Sequence, residues 1–184
     1  MRVTPVHALV AITAAFAGWA GTAPVGAPPP RVRSQLRARL LEDPTAPVTW
    51  VRDGLAVCVR RGILSRDAAT QIDAAITADP RIAPAHGDLL LRNVIAGPDG
   101  SLGLVDWECA GPHLVDWDRA LLWTQLAPAS RGPVEAAAQT PAFRGLVAFA
   151  LAREIAFLRA FRVPARHAGL LAVIAELAGA CRHL

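Results

Sequence analysis

His86-Gly87-Asp88-Leu89-Leu90-Leu91-Arg92-Asn93, followed after a short interval by Asp106-Trp107-Glu108, is the stretch on which the fold turns. Leu89-Leu90-Leu91 and Val94-Ile95 are apolar and β-compatible, and Leu102 to Val105 is a second short apolar run. Gly97-Pro98-Asp99-Gly100 between them is a strong turn. The pattern predicts one hairpin with a loop of about four to six residues. Closing it would bring Asp88, Asn93 and Asp106 together. Taken singly, each is an ordinary turn or loop residue. Taken together, they are one carboxylate able to accept a hydroxyl proton and two hard oxygen ligands for a divalent cation.

Working outward, the chain reads as helices. Thr4-Pro5 opens an apolar, Ala-rich run to Trp19, and Pro24 to Pro30 is a Pro/Gly/Ala linker. Arg31 to Leu41 is a short helix. Pro47 begins another, to about Arg61, with Val51, Leu55, Cys58 and Val59 at helical spacing. Ser65 caps a helix over Arg66–Ala78, which Asp79-Pro80 stops. After the hairpin, Gly111-Pro112 leads to a helix from about Val115 to Leu126. Thr140-Pro141 caps a long helix to about Arg162, and a last helix runs from about Ala165 to Arg182. The expected fold is mostly α with one small β-hairpin carrying the site. Residues 1–30 form an amino-terminal apolar helix and linker, and residues 31–184 form the lobe that holds the site.

The composition excludes several classes. The 184 residues are one domain's length, and 53% hydrophobic content supplies a core. The net charge of +4 is spread along the chain, and its densest run, Arg31 to Arg39, reads as one solvated helix face. No aromatic-interleaved basic stripe is present, so no nucleic-acid partner is expected. All 19 basic residues are arginine. Cys58, Cys109 and Cys181 fit neither a disulfide framework nor a zinc spacing, and read as buried reduced thiols. The apolar core Ala8 to Ala20 is shorter than the ~20 residues a bilayer span needs, so no membrane partner is expected. A signal peptide built from Arg2, this run and Val25-Gly26-Ala27 is the competing reading. It would make the chain a secreted helical protein with a coincidental motif.

The segment His86 to Glu108 resembles the aminoglycoside phosphotransferase and choline-kinase-like family, relatives of the protein kinases. That family's catalytic loop reads H-G-D-x-x-x-x-N and is followed, after a hairpin, by D-[WFY]-[DE]. His86-Gly87-Asp88, Asn93 and Asp106-Trp107-Glu108 match every fixed position and the spacing. Ala110-Gly111-Pro112 and Asp116 before a Leu/Ala helix are also similar. The resemblance implies the carboxy-terminal lobe of a protein-kinase-like fold and ATP-dependent phosphorylation of a small-molecule hydroxyl, in the cytoplasm. Asp88 would be the catalytic base. Asn93 and Asp106 would hold Mg2+ against the nucleotide phosphates. Arg92 would reach a phosphate. His86 would brace the loop, Glu108 would support it, and Asp116 would cap the following helix and tie the catalytic loop's backbone in place.

The family also has an amino-terminal β lobe, with a loop over the phosphates and a lysine that pairs with them. Here the 85 residues before His86 read as helices and no lysine exists at any position. Arginine supplies charge without the same compact geometry. Three expectations stay open: a truncated gene product of an ordinary small-molecule kinase, an inactive remnant or binding protein, or a lobe supplied by upstream sequence or another chain. The acceptor is also open. Few acids lie on the late helices (Glu135, Glu154 and Glu176), which disfavours a strongly polycationic acceptor. Trp107, Trp117 and Trp123 are the aromatics nearest the site in sequence for a choline-like cage.

Overall fold

Ser65 shows how directly the sequence sets the helix starts. Its Oγ accepts the Ala68 N–H at 3.1 Å, so it caps the helix that begins at Arg66. The computed structural model describes residues 45–98, 102–160 and 167–181. The expected helices before Thr45 and the linker at residues 24–30 lie outside these residues, as does the centre of the turn at 99–101.

The described chain divides into two compact units, residues 45–80 with 140–181 and residues 81–139. The first is all helical: α1 (Ala46–Arg60), α2 (Arg66–Thr77), α5 (Phe143–Ala160) and α6 (His167–Ala180). α1 buries Pro47, Val51, Leu55 and Cys58 along one stripe, and α2 buries Ile72, Ala75 and Ile76. α5 is buried at every position from Leu146 to Ala152, which makes it the unit's central helix. Gly54 on α1 leaves room for the Phe149 ring of α5, since a Cβ there would overlap it. Cys58 and Cys181 are buried in this unit as free thiols, and burial pushes both above the usual thiol range.

The second unit holds two antiparallel ribbons and two helices, α3 (Trp117–Gln125) and α4 (Gly132–Ala136). β1 (Ile82–Ala85) pairs with β4 (Gly111–Leu114) in the register Ile82↔Leu114 to Ala85↔Gly111. β2 (Val94–Ala96) pairs with β3 (Leu102–Leu104) in the register Val94↔Leu104 to Ala96↔Leu102. The mostly helical architecture is as expected, but there are two ribbons rather than one hairpin. Gly111-Pro112, expected to lead into a helix, lies in β4. Leu89-Leu90-Leu91 is not a strand. The backbone tightens instead into a 3-10 turn at Leu91–Asn93, with the Asn93 N–H donating to the Leu90 carbonyl at 2.8 Å. Cys109 is exposed, not buried as expected.

A small satellite core sits under the second ribbon. Leu89 and Leu104 are buried, with Val94, Leu102 and Trp107 packed against them. Burying one leucine fully contributes about 1.5–3 kcal/mol, so Leu89 anchors the start of the loop it belongs to. α3 is buried continuously from Trp117 to Trp123. It enters through Asp116, whose backbone is left-handed at φ 73°. No helix among the described residues is long and apolar enough to cross a membrane.

Candidate active site

Gly87 is the pivot between β1 and the loop that follows. Its φ is +83°, a conformation side chains rarely adopt. A Cβ there would also collide with the Cys109 carbonyl oxygen and the His113 ring. The bend therefore needs glycine on two counts, and it turns Asp88 out of the ribbon.

The loop after Gly87 is held from several sides. His86 is fully buried and its Nε2 lies 2.8 Å from the Val105 carbonyl oxygen. A carbonyl only accepts, so Nε2 carries the proton. The His86 ring rests against Trp107 at a centroid distance of 4.7 Å, and Trp107 Nε1 donates to the Leu104 carbonyl at 3.0 Å. The Val105 N–H donates to the Asn93 carbonyl at 3.0 Å. Val105 is thus bonded on one side to His86 and on the other to Asn93. Asp106 is the next residue along the chain from this bond.

Asn93 is 4% exposed. Its Nδ2 donates to the Asp88 backbone carbonyl at 2.8 Å and to Asp88 Oδ2 at 3.2 Å. The reverse amide orientation would set oxygen against oxygen, so the orientation is fixed. With the nitrogen committed inward, Asn93 Oδ1 is the atom left for a cation. Asp106 is exposed and left-handed, at φ 63° and ψ 60°, and its side chain does not cap the short turn Trp107–Cys109 that follows. Non-glycine residues in this region cost about 1–3 kcal/mol, and such strain clusters at functional sites. Asn93 Oδ1 and the Asp106 carboxylate are hard oxygen donors of the kind Mg2+ takes alongside phosphates and water. Among the described residues, no group of three or more His, Cys, Asp or Glu side chains converges as a metal cluster.

Arg92 lies over this corner, its Nη2 3.2 Å from Asp88 Oδ2, with side-chain exposures of 70% and 29%. An ion pair this exposed contributes little and opens readily. Glu108 is exposed in the Trp107–Cys109 turn, and no hydrogen bond among the described residues joins its carboxylate to the loop.

The tie to the backbone of this loop, expected of Asp116, is made by Asp118. Its Oδ2 accepts the His86 N–H at 2.7 Å and its Oδ1 accepts the Gly87 N–H at 2.9 Å. Burial pushes the Asp118 carboxyl above the usual carboxylate range. The positive field of His113, the His86 N–H, the charge of His86 and the Gly87 N–H pull in the opposite direction. The Asp116 carboxylate makes no side-chain cap. It accepts the Gln139 N–H at 2.9 Å and pairs with Arg119 Nη1 at 2.6 Å in a buried ion pair. Arg119 Nε and Nη2 have no partner among the described residues. Asp116 is the acid that the resemblance singles out. The sequence signal for Asp118 is an acid in the first turn of a helix dominated by Trp117 and the apolar run Ala120-Leu121-Leu122-Trp123.

The three tryptophans do not form a cage. Trp117 is 1% exposed and its Nε1 donates to the Gly87 carbonyl at 3.0 Å. Trp107 covers His86. Trp123 donates to Glu135 Oε1 at 2.7 Å and is covered by the Arg131 guanidinium, 3.8 Å from the ring centroid.

Residues 4–161 match the profile of a family described as "Phosphotransferase enzyme family". Among solved structures, the chain is similar to one described as "Crystal structure of LicA in complex with AMP". The TM-score is 0.50 and the sequence identity 14%, over 97% of this chain and 63% of that one. This chain thus spans less than two thirds of that protein's length. No protein of curated function matches.

Proposed function

We propose, for a chain that belongs to the phosphotransferase enzyme family, that residues 86–118 form the catalytic corner of an ATP- and Mg2+-dependent small-molecule O-phosphotransferase of the aminoglycoside phosphotransferase type. The observation that carries this reading is the paired use of Asn93. Its side-chain nitrogen grips the Asp88 carbonyl, which leaves its side-chain oxygen for a cation, while its backbone carbonyl holds Val105, the residue before Asp106. The AMP in the LicA structure supports use of an adenine nucleotide. A nucleotide donor fits a cytoplasmic setting.

Asp88 is the base. Its carboxylate lies on a loop whose backbone is fixed by Asp118, Trp117 and Asn93. Such a group holds the acceptor hydroxyl in line and takes its proton, an effect of about 10²–10⁴-fold. Asn93 and Asp106 would hold Mg2+, which when bound offsets the charge on the transferring phosphoryl group. Preorganisation is this chain's share: the loose transition state of phosphoryl transfer needs positioning and charge neutralisation more than covalent help. Arg92 pairs with one oxygen of Asp88 through an exposed side chain, which can turn to meet a phosphate. Glu135 is committed to Trp123, which leaves fewer acids to bind a polycationic acceptor.

The test is ATP consumption across a panel of hydroxyl acceptors with and without Mg2+, run beside Asp88→Ala. We expect Mg2+-dependent transfer to at least one acceptor, lost in the variant. Binding of neither nucleotide nor Mn2+ by the folded protein would overturn the reading.

A further inference from the structure

Gln125 ends α3 and uses all of its amide bonding groups at once. Its Oε1 accepts the Leu91 N–H at 2.7 Å. Its Nε2 donates to the Leu89 carbonyl at 3.3 Å and to the Leu121 carbonyl at 2.9 Å, one turn back on its own helix. The bond to Leu121 fixes the direction of the side chain, and the other two grip the loop on either side of Leu90.

The loop's own bonds leave these two groups over. The Leu90 N–H donates to the Asp88 carbonyl at 2.8 Å, and the Leu90 carbonyl accepts the Asn93 N–H at 2.8 Å. The Leu89 carbonyl and the Leu91 N–H point the other way, toward Gln125. Asp88 immediately precedes the first gripped residue, and Asn93 follows the second by two. Gln125 lies seven residues after Asp118, so both fall on one face of the helix, about two turns apart. That face holds the loop at both ends: Asp118 takes His86 and Gly87, and Gln125 takes Leu89 and Leu91.

We infer that Gln125 is a positioning residue: by clamping Leu89 and Leu91 it backs the direct Asn93–Asp88 bonds and steadies the separation between the Asp88 carboxylate and the Asn93 carbonyl oxygen. It touches neither side chain and acts through the backbone between them. The inference rests on the roles proposed for Asp88 and Asn93. The clamp itself can be tested without any turnover.

Gln125→Met keeps the length and removes every hydrogen bond. Gln125→Glu keeps an acceptor for the Leu91 N–H but loses the donors to both Leu89 and Leu121 and sets an oxygen against those carbonyls. Residue-resolved amide exchange should show the Leu91 N–H exchanging roughly three- to tenfold faster in the Met variant and less accelerated in the Glu variant, which keeps the acceptor. The Asn93 side-chain amide resonances should move in the Met variant, while the His86 and Gly87 amides, held by Asp118, exchange as before. An unchanged Leu91 rate in the Met variant overturns the clamp. So does an acceleration shared equally by His86 and Gly87, which marks general loosening. Unmoved Asn93 resonances overturn the positioning role. Should the Met variant fail to fold, wild type alone decides. Leu91 is 40% exposed, so exchange at the rate of an unbonded amide would contradict the bond. Titration with Mn2+ alone separates the two levels. An affinity loss of about tenfold in the Met variant supports positioning of the metal ligand. Absence of Mn2+ binding in wild type sinks the metal-site reading, with the amide data still judging the clamp.

Discussion

The Asn93 side-chain amide donates to the backbone carbonyl of Asp88 at 2.8 Å, which ties the two ends of the loop together. The bond uses the Asp88 main chain, not its carboxylate. Replacing the Asp88 side chain therefore removes the proposed base and leaves the brace.

That separation gives the first expectation. Asp88→Ala should lower turnover by about 10²–10⁴-fold and leave the unfolding midpoint close to wild type. Only the 3.2 Å contacts of its carboxylate to Arg92 and Asn93 are lost, and the Arg92 pair is largely exposed. Full rate in the purified variant would show that another group takes the proton.

Asn93 should behave differently. Asn93→Ala removes a buried bond to Asp88 and the proposed metal oxygen in one step. We expect a stability loss of about 1 kcal/mol, measured by urea unfolding, together with weaker Mn2+ binding. Asn93→Asp sets a carboxylate against the Asp88 carbonyl and should be at least as unstable, although it adds a better cation ligand. Asn93→Ala binding Mn2+ as tightly as wild type would remove Asn93 from the ligand set.

Gly87 should tolerate no side chain. Gly87→Ala adds a strained φ and a Cβ that meets the Cys109 carbonyl and the His113 ring. The strain alone costs about 1–3 kcal/mol, and the overlap adds to it. A denaturation midpoint equal to wild type would mean that the bend adopts another conformation.

These particulars also show what was legible in the sequence. Ser65 acts through a local cap, so its residue type and place before a helical run reveal it. Asp88, Asn93 and Asp106 stand at a bend and a short ribbon that can be read locally, but the roles proposed for them come from the resemblance. β1 and β4 could not be read in this way. Ile82–Ala85 and Gly111–Leu114 each contain a proline, lack alternation, and pair across a long stretch of chain with no connecting turn. A two-stranded ribbon tolerates the facing Pro84 and Pro112 because each strand keeps an open edge. Leu89-Leu90-Leu91 looked like a strand because apolar runs carry no sign of the bonds from Leu90 to Asp88 and from Asn93 to Leu90 that tighten them. Asp116 and Asp118 differ by two positions in one motif, and only the helix entry decides which carboxylate faces the loop.

Asp118 provides the last expectation, a dependence on pH. Its carboxyl is fully enclosed, and burial raises its folded value above the ordinary 3.8 despite the two N–H donors. A carboxyl raised on folding favours the folded state only while it keeps its proton. Its contribution is complete below about 3.8 and is lost as pH rises through the raised folded value. Asp118→Asn cannot titrate, and it turns one N–H donor toward another. The variant should be less stable than wild type by about 1–3 kcal/mol where Asp118 is protonated. That gap should narrow as pH rises, because only wild type loses stability from this group. Urea midpoints of the two proteins across a pH series from the acid limit to neutrality give the difference directly. A gap that widens with pH would mean that the bonds to His86 and Gly87 outweigh burial and hold the carboxyl below its ordinary value.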